Sequence, residues 1–375
     1  MRMAAPEGEM CRDDGDVCPL TVVLTTSPCV SHPSTYLMQN TMLSLTAHCG
    51  PLARRVPIII VCDGYALRDA DAEKSVFRQA KVTREDAERY ARYLNRLEVL
   101  CARARDLELD DSPFRNASML VLREHHGFPY ALRRGLQLVK TPLVMVLQHD
   151  RSFTNDVDLA RVCREMQRCC SWLYYVGFPT KSTIRHDLVM RGQTNGALVP
   201  TPLRTQPARD TCAALDAKRG TYTDSSEDGL TLLPLCRFFD STHVARTAWY
   251  TNFIFGRNAP WAFVRRGFVE EKVTEVMTPE LLSGGLDEAH KPYGMYVLWP
   301  DGAADRPVPL SYDAREHDAP MAEPYGGMWP TVVGHVNGHR DGLERKMQHQ
   351  VSFVLDAEID AYDAATRREP AQLVM

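Results

Sequence analysis

Apolar runs and helical stripes alternate along the first half of the chain. Leu20 to Thr26 is an apolar and β-branched run stopped by Ser27-Pro28, the pattern of a buried strand that ends in a loop. Tyr36 to Leu45 predicts a helix, and Val56 to Cys62 a second buried strand closed by Asp63-Gly64. Thr83-x-x-Asp86 resembles a capping box. Ala87, Tyr90, Ala91, Leu94, Leu97 and Cys101 follow it at helical spacing, so a surface helix of about eighteen residues is expected. A third strand, Ser118 to Leu122, leads through His126-Gly127-Phe128-Pro129 into a helix from Tyr130 to Val139. Pro142 then opens a fourth strand, Leu143 to Leu147, which runs into Gln148-His149-Asp150-Arg151. Asn155 is placed to cap a helix whose apolar face is Leu159, Val162, Cys163, Met166 and Cys170, and Trp172 to Gly177 reads as a fifth strand.

Strands alternating with helices in this way predict an α/β fold with a mostly parallel central sheet and helices on both faces. In such sheets ligands gather at the carboxyl ends of the strands. Asp63 and Asp150 both stand at such ends.

The rest of the chain is less regular. Residues 190–235 are rich in Thr, Pro, Asp and Gly and read as a surface insertion, because Leu230 to Phe239 resumes an apolar pattern. Ala262-Phe263-Val264 precedes Arg265-Arg266-Gly267-Phe268-Val269-Glu270-Glu271, Tyr293 to Trp299 predicts a strand, and Thr331-Val332-Val333-Gly334-His335 is a late apolar run. The expected organisation is an acidic flexible tail over 1–17, one α/β domain over 18–345 and a C-terminal extension over 346–375.

With 44% hydrophobic and 25% charged residues, the 375-residue chain has enough apolar material for a large core. A formal net charge of -4 gives no general basic surface, so nucleic acid is not the expected partner. The eleven cysteines include no Cys-x-x-Cys pair, and several lie in apolar runs where a thiol acts as a small hydrophobe, which fits a reducing compartment. Glu7, Glu9, Asp13, Asp14 and Asp16 occupy the place of a signal peptide's apolar stretch, and no run of eighteen apolar residues occurs. The expectation is a cytoplasmic protein without a membrane span. Gly-x-Gly-x-x-Gly after a strand, the P-loop motif and the Gly-x-Ser-x-Gly elbow are all absent, which removes the main support for oxidoreductase, P-loop and α/β-hydrolase chemistry.

The order of parts between 19 and 177 resembles the nucleotide-sugar-binding half of GT-A glycosyltransferases, in particular the family-2-like group: a strand ending in Thr-Thr-Ser-Pro, a second ending in Asp-Gly, a helix with Ala131-x-x-x-Gly135, and a strand ending in an acidic turn. The resemblance implies a GT-A-like single domain, a nucleotide diphosphate sugar donor, a hydroxyl acceptor of unknown identity and a divalent cation, Mn²⁺ or Mg²⁺. It places Thr25, Thr26, Ser27, Asp63, Gln148 and Arg151 around the donor. For Asp63 the other reading is a simple turn with Gly64, and for Arg151 a solvated side chain. The family's Asp-x-Asp motif reads Gln148-His149-Asp150 here, so the first acid is missing and Asp150 matches the one that touches the metal. His149 is either a further nitrogen ligand or an ordinary capping or core residue. His335 would be a second metal ligand, with His339 as the nearby substitute, or else a histidine in a Gly-rich turn.

For inversion, a carboxylate must take the acceptor's proton as its hydroxyl attacks. The family's acidic pair at a helix start is matched by Glu270-Glu271, with Glu271 the first choice for the base. The same acids would also favour the helix dipole without any chemistry. The cluster Trp249, Tyr250, Phe253, Phe255 and Trp261 either stacks on an acceptor or belongs to the core. Two other functions remain open: a sugar nucleotidyltransferase, which normally needs a Gly-rich basic loop where this chain has Thr25-Thr26-Ser27-Pro28, and an inactive GT-A-like binding protein.

Overall fold

The computed structural model describes residues 19–70, 72–180, 182–205, 229–265, 267–299, 333–335 and 353–366, with backbone only for 333–335. In chain order its strands are β1 (Leu20–Thr26), β2 (Ile58–Cys62), the short β3 (Ala66–Leu67) and β4 (Lys81–Val82), β5 (Ala117–Val121), β6 (Leu143–Gln148), β7 (Arg151–Phe153), β8 (Tyr175–Gly177), β9 (Leu203–Arg204), β10 (Thr231–Pro234), β11 (His243–Arg246), β12 (Met295–Leu298) and β13 (Val333–His335). The main helices are α1 (Tyr36–His48), α2 (Arg84–Asp106), α3 (Phe128–Leu136), α4 (Leu159–Arg168), α5 (His186–Gln193), α6 (Val269–Ala289) and α7 (Asp356–Thr366).

Nine strands form one sheet in the order β5-β2-β1-β6-β11-β8-β12-β10-β9. β5, β2, β1 and β6 pair in parallel, as do β8 and β12, while β11 is antiparallel to β6 and β8, and β10 is antiparallel to β12 and β9. Only β10 and β11 therefore run against the rest. The fold is α/β with a mostly parallel sheet, as the sequence predicts.

Period-two alternation sorts the strand residues onto two apolar faces. Leu20, Val22 and Leu24 of β1 with Met145 and Leu147 of β6 join α1, α2 and α4 in one core. Val23, Val61, Val144 and Val146 face the other way and join α3 and α6. Gly135 allows α3 to lie this close: a Cβ there would meet Val23 at 2.6 Å and Val61 at 2.8 Å. The aromatic cluster is core rather than an exposed platform, with Trp249 and Tyr250 at 1% and 0% exposure.

Several boundaries differ from expectation, each for a local reason. α4 is capped by Asp158, whose carboxylate accepts the Arg161 N–H at 2.8 Å, and not by Asn155. The Val157 N–H donates to the His48 carbonyl at 2.8 Å, which pins the chain to the end of α1 and delays the helix start. β8 begins at Tyr175 because the N–H groups of Trp172 and Leu173 donate back to the Cys169 carbonyl at the end of α4. α2 runs 23 residues, longer than its pattern implied, from the expected cap in which Thr83 Oγ1 accepts the Asp86 N–H.

Within 190–235, the described ends supply β9 and β10 at the sheet edge; residues 206–228 and the tail 1–17 lie outside the described residues. α7 docks on α2 through Arg96 with Asp356 and Asp360 and buries Ile359. Among the described residues no helix is long and apolar enough to cross a membrane.

Candidate functional site

The carboxyl ends of β1, β2 and β6 open on a cavity of about 560 Å³. Thr25, Thr26 and Ser27 line it from β1, Asp63 from β2, and Gln148, His149 and Asp150 from β6. Phe77, Arg78, Gln79 and Ala80 come from the excursion before β4, His125, Gly127 and Phe128 from the start of α3, and Arg265, Gly267, Phe268 and Glu271 from the start of α6. Of the residues singled out in the sequence, eight meet here: Thr25, Thr26, Ser27, Asp63, Gln148, His149, Asp150 and Glu271. Glu270 and Arg151 are not among the cavity's lining residues.

Asp63 is 5% exposed, and its oxygens are committed to the protein. Oδ1 accepts the Gly64 N–H at 2.9 Å and the His126 N–H at 2.8 Å; Oδ2 accepts the Gly127 N–H at 2.9 Å and meets His125 Nδ1 at 3.0 Å. Four donors match the roughly four acceptor sites of a carboxylate. Asp63 thus ties the end of β2 to the start of α3, where Gly127 adopts a φ of +75° that a side chain would resist. Tyr130 of α3 donates its hydroxyl to the Phe263 carbonyl at 2.7 Å, which holds the segment leading to Arg265 and Phe268 over the cavity.

The end of β1 is tied both to α2 and to the end of β6. Thr26 Oγ1 and the Tyr93 hydroxyl are 3.1 Å apart, and the His149 N–H donates to the Thr25 carbonyl at 3.1 Å. Burial would lower the His149 pKa, but its hydrogen bond with Cys29 and the nearby Asp150 charge raise it to about 9. Burial would raise the Cys29 thiol, yet His149 and His32 hold it well below its ordinary value. The core cysteines Cys62 and Cys101 go the other way, pushed up by burial.

Adjacent in sequence, Glu270 and Glu271 have different surroundings. Both lie in the first turn of α6, and Glu271 lines the cavity. Glu270 instead engages Asp240: its Oε2 accepts the Asp240 N–H at 3.2 Å, and its own N–H donates to Asp240 Oδ2 at 3.0 Å. Burial raises the pKa of both carboxyls, Asp240 well above the usual range. Arg151 opens β7, and its charge acts on Glu270.

β13 pairs antiparallel with β7, with His335 in register opposite Arg151. The backbone of His335 is therefore brought next to the residue that follows Asp150. His339 lies outside the described residues.

Sequence patterning missed Arg78, His125, Arg265, Phe268 and Asp240. Polar residues in loops carry no period, and only the closing of the fold brings these together. His126-Gly127-Phe128-Pro129 at a helix start was the one local signal for His125.

No family model matches the chain, and no curated protein matches it. Among solved structures it is similar to the mannosyltransferase PcManGT from Pyrobaculum calidifontis in complex with GDP-Man and Mn²⁺, at 12% identity over 48% of this chain and 40% of that one, with a TM-score of 0.27. It is also similar to S. aureus TarS, at 11% identity over 74% of this chain and 35% of that one, TM-score 0.33. A third is glucosyl-3-phosphoglycerate synthase from Mycobacterium tuberculosis, solved with Mn²⁺, UDP and glucosyl-3-phosphoglycerate, at 11% identity over 62% of this chain and 58% of that one, TM-score 0.27. The chain spans less than two thirds of each of these, and the likeness is one of fold.

Proposed function

We propose that this protein transfers a sugar, with inversion, from a nucleotide diphosphate donor to a hydroxyl acceptor. The observation that carries the reading is the convergence of Asp150 and Glu271, from distant parts of the chain, on one cavity at the strand ends. Such a transfer needs a place for a diphosphate and, beside it, a carboxylate for the attacking hydroxyl.

Thr25, Ser27 and Gln148 offer hydrogen bonds to a nucleoside sugar, and Arg78 and Arg265 offer guanidinium groups to phosphate oxygens. Gln148 Nε2 donates to the Asp240 carbonyl at 2.8 Å, which leaves the acceptor oxygen of its amide for the ligand. With its four acceptor sites occupied, Asp63 serves this reading as the anchor of the cavity wall rather than as a hydrogen-bond partner of the base or ribose.

The described residues contain no group of three or more His, Cys, Asp or Glu arranged for a metal. A hard cation that keeps several waters and leans on the substrate's phosphates needs only one or two carboxylates, so Asp150 at the cavity wall fits Mn²⁺ or Mg²⁺. Asp150 would hold it, with His335 as the candidate second ligand. A bound cation supplies charge neutralisation on the leaving diphosphate. Glu271 takes the proton of the acceptor hydroxyl as it attacks the anomeric carbon from the face opposite the leaving group. Phe128 and Phe268, with ring centres 6.0 Å apart, form the apolar wall beside that base.

The test is release of nucleoside diphosphate from a panel of donor sugars, with and without added Mn²⁺. Release supports transfer. Tight donor binding without release points to the inactive binding protein, and formation of pyrophosphate from a nucleoside triphosphate and a sugar phosphate to the nucleotidyltransferase.

A further inference from the structure

Glu271 can act in the cavity only while the first turn of α6 is held in place, and α6 begins without a cap of its own. Phe268 stands at the cap position and offers no side-chain acceptor to the first free N–H groups of the helix, which need one. The acceptor comes from another part of the chain. Asp240, between β10 and β11, takes the Glu270 N–H on Oδ2 at 3.0 Å and returns its own N–H to Glu270 Oε2 at 3.2 Å. The carbonyl of the same residue accepts Gln148 Nε2 at 2.8 Å. One buried residue, 5% exposed, therefore touches both the helix start that carries Glu271 and a donor-side residue at the end of β6.

We propose that Asp240 is a positioning residue for the transfer step, holding Glu271 and Gln148 in one fixed frame; this rests on the reading of Glu271 as the base. The role is geometric. Burial raises the Asp240 carboxyl well above the usual range, and the contact a variant must reproduce is Oδ2 accepting the Glu270 N–H. Among the described residues its Oδ1 has no hydrogen-bond partner. The amide of an Asp240→Asn variant keeps the contact to α6, because its oxygen can accept the Glu270 N–H where Oδ2 does. An Asp240→Glu variant keeps the acid but adds a methylene, which displaces the helix start.

The experiment compares Asp240→Asn, Asp240→Glu and Asp240→Ala by steady-state kinetics and by amide hydrogen exchange over the first turn of α6. Asp240→Asn is expected to keep kcat within about threefold, with the amides still protected. Asp240→Glu and Asp240→Ala are expected to lose on the order of 10- to 100-fold in kcat, the size of a small misplacement of a reacting group, with donor KM little changed and faster exchange at Glu270 and Glu271. The proposal is overturned if Asp240→Glu works normally, if Asp240→Asn is as impaired as Asp240→Ala, or if kcat falls only in step with the folded fraction. Should Asp240→Ala not fold, the contrast between the amide and the longer acid decides. If the parent protein transfers no sugar, it is the reading of Glu271 that fails, and unchanged exchange in Asp240→Glu would separately refute the hold on α6.

Discussion

The Asp63 carboxylate accepts the Gly127 N–H at 2.9 Å, joining the end of β2 to the first residue before α3. With His125, His126 and Gly64 as its other donors, it is the knot of the cavity wall. An Asp63→Asn variant must turn an NH₂ group toward donors and leave buried N–H groups unpaired. The expected loss is about 2–3 kcal/mol, read as a lower urea midpoint at unchanged slope. An unchanged midpoint with weakened nucleotide binding would return Asp63 to the role of a ligand contact.

Glu271→Gln should retain donor binding and lose the transfer step. General-base catalysis contributes about 10²- to 10⁴-fold, so turnover at saturating donor should fall within that range. Glu270→Gln should remain active within a few-fold, because the amide oxygen can still accept the Asp240 N–H. A dead Glu270→Gln beside an active Glu271→Gln would reverse the two assignments.

Stability should depend on pH in a defined window. Burial lowers the pKa of His186 and His243 to about 3 and of His290 to about 4. The unfolded chain takes up protons on these three below about pH 6.5, while the folded protein does not, so stability is lost as pH falls through that point. Asp240 and Glu270, raised by burial, bind protons in the folded state and oppose this by up to one proton each. Near pH 5, where the unfolded histidines are fully protonated and His149, raised to about 9, is protonated in both states, the net uptake on unfolding is between about one and three protons, or roughly 1.4–4 kcal/mol per pH unit. Denaturant titrations at closely spaced pH values around 5 measure it, and a stability that is flat or rises as pH falls there would contradict the buried neutral histidines.

Asp150→Asn should weaken Mn²⁺-dependent binding of a nucleoside diphosphate by tenfold or more, on the order of 1.4 kcal/mol, and leave the urea midpoint in place. Calorimetric titration with and without Mn²⁺ separates the two terms. Equal affinity and equal metal dependence in parent and variant would remove Asp150 from the cation site.

The parallel half of the fold was legible because β1, β2 and β6 are buried on both faces and read as unbroken apolar runs, separated by helices with clear stripes. The strand ends named Thr25, Gln148 and Asp150 directly, and the acidic pair at α6 named Glu271. The Asp63 network was hidden, since three of its four donors are backbone N–H groups that any residue type provides. Asp240 was hidden for a related reason: it caps a helix from a loop thirty residues earlier, so no local cap signature marks it. The misplaced cap at Asn155 shows the same limit, because the bond from Val157 to His48 that fixes the helix start is a tertiary contact.

The central claim is tested most directly by nucleoside diphosphate release from a donor panel, measured for the parent and for Glu271→Gln at saturating Mn²⁺. The account predicts that one donor class is turned over by the parent, that Glu271→Gln binds the same donor with similar affinity, and that its turnover falls by about 10²- to 10⁴-fold. A parent that binds no nucleotide diphosphate sugar, or a Glu271→Gln variant that turns the donor over at the parental rate, would contradict it.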